Sequence, residues 1–132
     1  MKLRPGEFFM MPSAIFNMDL TSDEIATYAY LKCREDRRTY KCWPSYTTIG
    51  DAIGRSRKSV AKYVGGLEEK GLIRTEPTKM ITDGGVPLNG NLMYTLLPIR
   101  PAVDMFNQRL LRRAEYENER RRVQAVMRQL AG

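Results

Sequence analysis

The sequence predicts an α+β fold, mostly α, in which three helices precede a long β-hairpin and a further long helix follows. Three observations predict it. Apolar residues recur at helical spacing between residues 21 and 70, two strand-like segments flank a turn-rich stretch between residues 72 and 97, and residues 102–130 contain neither proline nor glycine. With 132 residues and 42% hydrophobic content, the chain can form one small domain with a single core and an additional element.

The first helix is predicted to begin after Thr21. Thr21 and Glu24 have the spacing of a capping box, in which each side chain accepts a hydrogen bond from the other residue's backbone N–H group. The charged residues 34–38 end this helix, and residues 39–43 are predicted to form a short strand before Pro44.

The second and third helices are predicted to be joined by a very short turn. Ser45 is a good N-cap for the second helix, Gly54 can adopt the left-handed conformation that ends it, and Ser56 can cap the third. Gly50 lies where a side chain would hold the two helices apart. The apolar side chains that the third helix would bury are Val60, Val64 and Leu67. This arrangement is a helix-turn-helix.

A long hairpin is predicted after Gly71, which can terminate the third helix. Residues 72–80 and 92–97 are its strands, and the residues between 82 and 91 are rich in turn formers. Pro77 cannot donate to a central ladder, so it indicates an edge position or a bulge. Three helices followed by a hairpin make the winged-helix arrangement.

A long C-terminal helix is predicted from Pro101, with a length of about 43 Å over residues 102–130. Its apolar residues form two clusters, which are Val103, Phe106 and Leu110, and then Tyr116, Val123, Val126, Met127 and Leu130. We expect the first cluster to pack on the winged domain. For the second we favour self-association, with a basic helix that follows DNA and a frayed end as alternatives. The predicted division is therefore a winged domain over 1–100 and a possible dimerisation helix over 101–132.

The charge and composition favour an anionic partner and disfavour catalysis. Of the net charge of +7, residues 32–80 carry +6 and residues 100–132 carry +4, while the remaining segments are slightly negative. The chain has no histidine, and Cys33 and Cys42 alone cannot complete a tetrahedral zinc site. We find no activated nucleophile and no phosphate-binding loop, so we expect no enzymatic activity, cofactor or metal. With no recognisable signal peptide or membrane span, a cytoplasmic protein is expected.

The first turn of the third helix carries charges of the unfavourable sign. A helix N-terminus favours Asp or Glu, and each exposed cation there costs roughly 0.3–1 kcal/mol. Arg57 and Lys58 lie in this turn, and Arg55 lies just before it. A phosphate would offset the cost, because it also accepts hydrogen bonds from free backbone N–H groups. The alternative is a solvated basic surface, but the position within a helix-turn-helix favours DNA contact.

A set of motif residues carries a family resemblance: Trp43-Pro44-Ser45, Ile49, Gly54, Ser56, Ser59-Val60, Lys62, Leu67-Glu68 and Gly71-Leu72-Ile73. On these residues, the chain from about 6 to 98 resembles a bacterial winged-helix family of DNA-binding domains. Residues 8–12 are similar to the start of replication-initiator domains from plasmids and phages. The resemblance implies a recognition helix in the major groove, with residues 56–63 nearest the bases and residues 45–47 near a phosphate.

Two features depart from the family pattern. Arg55 follows the turn glycine, where the family usually has an apolar residue. Its aliphatic stem could still cover the core while its guanidinium reaches a phosphate. Gly65 and Gly66 lie inside the third helix and each costs up to about 1 kcal/mol relative to alanine. They could permit close packing against another helix, or the helix could kink there.

The candidate DNA contacts divide by role. Base readout is assigned to the polar side chains near the front of the third helix, which are Arg57, Lys58, Ser59 and Lys62. Phosphate contact is assigned to Ser45, Tyr46, Thr47, Arg55 and the wing residue Lys79. Ser56 and Tyr63 complete the set. The wing tip contains Asp83 and no arginine, so a glancing backbone contact is expected there.

Two functions remain open from the sequence. The first is a sequence-specific double-stranded DNA-binding protein of a bacterial mobile element or its host, acting in transcription regulation or replication initiation. We expect it to be a homodimer on a palindrome-like site, because two-fold dimers read half-sites about one DNA turn or multiples of it apart. The second is a winged-helix module for protein contact in a replication or partition complex, with the C-terminal helix as its docking element.

Overall fold

The computed structural model describes residues 6–81, 83–85 and 87–132. In chain order the helical elements are a 3-10 turn (Ser13–Asn17), α1 (Ser22–Arg34), α2 (Tyr46–Ile53), α3 (Arg57–Glu69) and α4 (Ile99–Ala131). The strands are β1 (Lys41–Cys42), β2 (Ile73–Glu76), β3 (Lys79–Ile81), β4 (Pro87–Asn89) and β5 (Met93–Leu96). The predicted fold is confirmed: it is a mostly helical α+β winged helix-turn-helix with a long C-terminal helix.

The strands form two small antiparallel sheets. Strand β5 lies between β1 and β2, and β3 pairs with β4 in the outer part of the wing. The single strand predicted over residues 72–80 is divided into β2 and β3 at Pro77, because proline has no N–H group to donate to a ladder. Thr82, a predicted turn residue, lies outside the described residues.

The predicted turn between α2 and α3 is confirmed. The Ser45 and Ser56 hydroxyls each accept a hydrogen bond from a backbone N–H group in the first turn of the following helix. The donors are Thr48 N at 3.0 Å and Ser59 N at 3.2 Å. Gly54 ends α2 in the left-handed conformation, with φ of 73°. A Cβ atom on Gly50 would collide with the carbonyl oxygen of Arg55, so glycine is required where the two helices meet.

Helices α1 and α3 also approach closely. The capping box is confirmed, since Thr21 N donates to Glu24 Oε1 at 2.9 Å and Glu24 N donates to Thr21 Oγ1 at 3.1 Å. Lys70 Nζ lies 2.8 Å from the same Oε1 atom. Burial would raise the pKa of Glu24, but the hydrogen bonds from Lys70 and Thr21 outweigh it and lower the pKa. A Cβ atom on Gly66 would collide with this carboxylate, whereas one on Gly65 would meet nothing within 4 Å.

The core lies between the first three helices and the three-stranded sheet. Its largest fully buried side chains are Tyr28, Tyr94, Ile15, Leu31, Ile49, Leu67, Leu72, Val60 and Thr27. Ile15 and Met18 come from the N-terminal 3-10 turn and the residue after it, a part of the core that helical or strand periodicity does not reveal.

Helix α4 begins at Ile99, two residues before the predicted start at Pro101. The side chains that pack against the domain core are Ile99, Ala102, Val103 and Phe106. Leu110 was expected to join them but is 43% exposed, because the helix has by then left the domain. Residues 107–132 are all exposed. At 33 residues, α4 is about 50 Å long.

Candidate nucleic-acid interface

Helix α3 has an exposed front opposite the side that packs in the core. The exposed residues are Arg57, Lys58, Ala61, Lys62, Gly65, Glu68 and Glu69. At 100° per residue, Lys58 and Lys62 lie opposite the buried side of α3, and Arg57 lies at one edge of the front. The structure therefore brings three of the four predicted base contacts to the outside of α3, while Ser59 is partly buried.

The cations of this front are not neutralised within the described chain. The first turn of α3 contains no acidic residue. Among the described residues, Arg57, Lys58 and Lys62 have no hydrogen-bond or ion-pair partner for their side chains. The unfavourable interaction of Arg57 and Lys58 with the helix dipole is therefore not offset by an internal acidic partner.

The predicted serine contacts are engaged in helix caps. Ser56 Oγ accepts from Ser59 N at 3.2 Å and donates to Ser59 Oγ at 3.1 Å. Ser45 Oγ lies 2.9 Å from the Thr48 hydroxyl, in addition to its capping bond. Thr47 is exposed at the start of α2, and Tyr46 is partly buried against the core. Ser45 and Thr47 thus lie together at the N-terminal end of α2.

Asp23 accepts hydrogen bonds from two of the predicted DNA-contacting residues, Arg55 and Tyr63. Arg55 Nε donates to Asp23 Oδ1 at 3.0 Å, and Tyr63 Oη donates to Asp23 Oδ2 at 3.1 Å. This cluster joins α1 to the α2–α3 turn and to α3. A phosphate at Arg55 would share the guanidinium with Asp23, and the Tyr63 hydroxyl faces α1 rather than the front of α3. The departure from the family pattern at Arg55 is therefore accounted for by an ion pair.

The wing stands beside the N-terminal ends of α2 and α3. Asn91 Nδ2 donates to the Trp43 carbonyl at 3.2 Å, which ties the end of the hairpin to the segment before α2. A cleft of about 310 Å³ lies between them, and Arg57, Ser45 and Asn91 are among its lining residues. Lys79 is exposed on β3. Arg57 thus lies between the predicted base contacts and the predicted phosphate contact at Ser45.

Four residues of the front were not among the predicted contacts, and two of them, Glu68 and Glu69, are acidic. The other two, Ala61 and Gly65, are exposed between Arg57 and Lys58 around the helix. The predicted contacts are all polar side chains. The spacing of four residues between Ala61 and Gly65, on the same helical side as Lys58 and Lys62, is the signal that could have found them.

Comparison with known proteins agrees with this geometry. A family described as a helix-turn-helix domain matches residues 19–73, which contain α1, α2 and α3. No curated protein matches the sequence significantly. A possible transcriptional regulator from Methanosarcina mazei Go1 has a similar structure, with a TM-score of 0.52, 18% identity, and coverage of 78% of this chain and 80% of that one.

Two further solved structures are more distant. The MepR–DNA complex of Staphylococcus aureus has a TM-score of 0.45 and 16% identity, covering 88% of this chain and 85% of that one. A MarR-family transcriptional regulator from Silicibacter pomeroyi has a TM-score of 0.44 and 17% identity, covering 80% and 61%.

The chain therefore contains a helix-turn-helix within a winged-helix fold. The comparisons do not support the similarity to replication initiators. Over the described ranges, no helix is long and apolar enough to cross a membrane. The same part of the chain contains no group of three or more potential metal ligands.

Proposed function

We propose that this protein is a sequence-specific double-stranded DNA-binding transcription regulator that places α3 in the major groove. The observation that carries the proposal is the exposed set Arg57, Lys58 and Lys62, which has no internal counterion in the described chain. A DNA phosphate or a guanine edge would supply the acceptors that these side chains lack.

The geometry divides the contacts by role. We assign base contact first to Lys58 and Lys62, because they lie opposite the buried side of α3. Arg57, beside Ser45 and the wing, is better placed for a phosphate or for a base at the edge of the site. Thr47, Tyr46 and Lys79 extend the phosphate contacts along α2 and the wing. The supporting residues, which hold α3 in position, are Ser56, Ser59, Arg55 and Tyr63.

The proposal includes a homodimer through α4. The apolar side chains exposed in its outer half are Tyr116, Val123, Val126, Met127 and Leu130. Tyr116, Val123 and Leu130 are seven residues apart, so they recur on one side of the helix every two turns. Pairing of this side would remove apolar surface from water, and a two-fold dimer would present its two α3 helices to two half-sites.

Transcription regulation is favoured over replication initiation by the similar fold of a possible transcriptional regulator. No observation in the structure supports a role in a mobile element. The alternative, a module used for protein contact, does not explain why the exposed cations of α3 lack an internal partner.

The test begins with selection of bound duplexes from random DNA. Substitution of Arg57 and Lys58 by alanine should abolish selective binding while the circular dichroism spectrum stays unchanged and the melting temperature does not fall, because the two cations are unfavourable at the helix N-terminus. Substitution of Arg37 and Arg38, which are exposed after α1, removes the same charge elsewhere and should preserve the selected sequence. Full binding by the Arg57/Lys58 variant would favour the protein-contact alternative. Sedimentation of the protein as a monomer, both free and on the selected duplex, would disprove the dimer.

A further inference from the structure

Asp23, in the first turn of α1, uses both of its carboxylate oxygens to bind other elements of the domain. Oδ1 accepts a hydrogen bond from Arg55 Nε at 3.0 Å, and Oδ2 accepts one from Tyr63 Oη at 3.1 Å. The Arg55 guanidinium also donates through Nη1 to the carbonyl oxygen of Gly54 at 3.1 Å. Two hydrogen bonds therefore hold the Arg55 guanidinium toward α1 and the α2–α3 turn.

Arg55 lies next to the exposed front of α3 but differs from it in charge. It is exposed and comes two residues before Arg57. Among the described residues, Arg57, Lys58 and Lys62 have no ion-pair partner, whereas Asp23 neutralises Arg55. Of the cations at the start of α3, Arg55 is thus the one that has an acidic partner within the described part of the chain.

This ion pair contributes little to the packing of α1 against α3. Its Arg55 and Asp23 side chains are 49% and 33% exposed, and water and salt screen ion pairs that are this exposed. The less exposed pair of Lys70 and Glu24 already joins α1 to the end of α3. An acid in the first turn of α1 also suits the helix dipole, but that role does not require a bond to Arg55.

The pair has a consequence for the surface that is proposed to face DNA. A Lys or Arg side chain adds to DNA affinity when it neutralises a phosphate and releases its counterion. A guanidinium that is already paired with a carboxylate has to give up that partner first. Asp23 Oδ1 occupies, at hydrogen-bond distance from Arg55 Nε, the place that a phosphate oxygen would take.

We propose that Asp23 competes internally with the DNA phosphates for Arg55 and thereby lowers the affinity of the protein for duplex DNA. This inference rests on the proposed function. The lowered affinity does not depend on sequence, because phosphate contacts carry no base information. Unrelated sites are in large excess over a specific site in a genome, so a weaker phosphate contact shortens the time that the protein spends on them.

The salt dependence of affinity for a random-sequence duplex tests this competition, because it reports the number of phosphates neutralised. Asp23→Asn keeps the shape of the side chain and removes its charge, so Arg55 is released. The slope of log affinity against log salt should steepen by about 0.9 per protomer, from near −4.5 to near −5.4. Affinity should rise about eightfold at roughly 0.1 M salt, if the added contact contributes nothing at about 1 M.

An unchanged slope in Asp23→Asn would overturn the proposal. A lower affinity would also overturn it, because Asp23 would then position Arg55 for a phosphate instead of withholding it.

Two further variants assign the effect to Arg55. The double variant Asp23→Asn/Arg55→Gln should return to the slope of the parent, because the released cation is then absent. A steeper slope that persisted in the double variant would be a general effect of charge and would refute the competition. Asp51→Asn is the matched control, since Asp51 is exposed on α2 and has no ion-pair partner among the described residues. Its slope should equal that of the parent.

Far-UV circular dichroism establishes that each variant folds. If Asp23→Asn does not fold, Arg55→Gln decides alone. Its slope should stay near that of the parent, and a slope shallower by about 0.9 would mean that Arg55 already neutralises a phosphate, which contradicts the proposal. If the parent showed no salt-dependent binding to duplex DNA, the proposed function itself would fail. If the parent bound and Asp23→Asn gave no gain, only the role of Asp23 would fail.

Discussion

Replacement of Gly50 by alanine tests the packing that sets the angle between α2 and α3. The new methyl group would collide with the backbone carbonyl oxygen of Arg55, which a side-chain rotation cannot relieve. The turn would have to open. This would strain the hydrogen bond from Arg55 N to Gly50 O at 2.9 Å and the bond from Gly54 N to the same oxygen.

The expected cost can be worked from these contacts. Overpacking of this kind costs about 1–3 kcal/mol. Loss of one backbone hydrogen bond costs about 0.5–1.5 kcal/mol. Alanine recovers up to about 1 kcal/mol of helix propensity. The net effect is a decrease of about 2 kcal/mol in the free energy of unfolding. For a chain of this length, it corresponds to a fall of roughly 6–10 °C in melting temperature.

Gly65→Ala is the matched control, because it makes the same chemical change in a helix where the methyl group meets nothing within 4 Å. It should stabilise the protein by up to about 1 kcal/mol. Urea denaturation followed by far-UV circular dichroism measures both variants against the parent. If Gly50→Ala were as stable as Gly65→Ala, the close approach of the α2–α3 turn would have no energetic role and the reasoning would be wrong.

Three further predictions concern charge and assembly. The lowered pKa of Glu24 means that its stabilisation is present above the ordinary value of 4.5 and is lost as the pH falls through the lower folded value. Glu24→Gln should remove this part of the acid dependence in urea titrations, and an identical pH profile would contradict it. If one protomer neutralises about five phosphates, log affinity should fall with log salt at a slope near −4.5, and salt-independent binding to duplex DNA would refute the proposed interface. Deletion of residues 116–132 removes the exposed apolar residues of outer α4 and should give a monomer in sedimentation. The truncated protein should still bind a duplex with one half-site, but it should lose the additional affinity for a duplex with two half-sites. If the truncated protein remained dimeric, the dimer interface would lie outside residues 116–132.

Local signals in the sequence were sufficient for most helix boundaries. The capping pair Thr21 and Glu24 and the caps Ser45 and Ser56 each act on backbone groups within three residues. Gly54 depends only on its own backbone conformation. Because these interactions are short in sequence, the residue types and their spacing determine them.

The candidate DNA-binding site could be predicted only in part from local sequence. The basic front of α3 follows from helical spacing, and Arg57, Lys58 and Lys62 are exposed as that spacing predicts. The partners of Arg55 and Tyr63 do not follow from spacing. Asp23 lies 32 and 40 residues from them in sequence, and only the packing of α1 against the helix-turn-helix brings its carboxylate to both.

The sequence by itself therefore determined the order of the four helices and the hairpin, the short α2–α3 turn and the side of α3 on which the cations lie, because each depends on neighbours within a few residues. The tertiary structure decided which of those cations remain without an internal partner and where α4 leaves the domain. These features depend on distances between residues of different elements, which only the packed core defines.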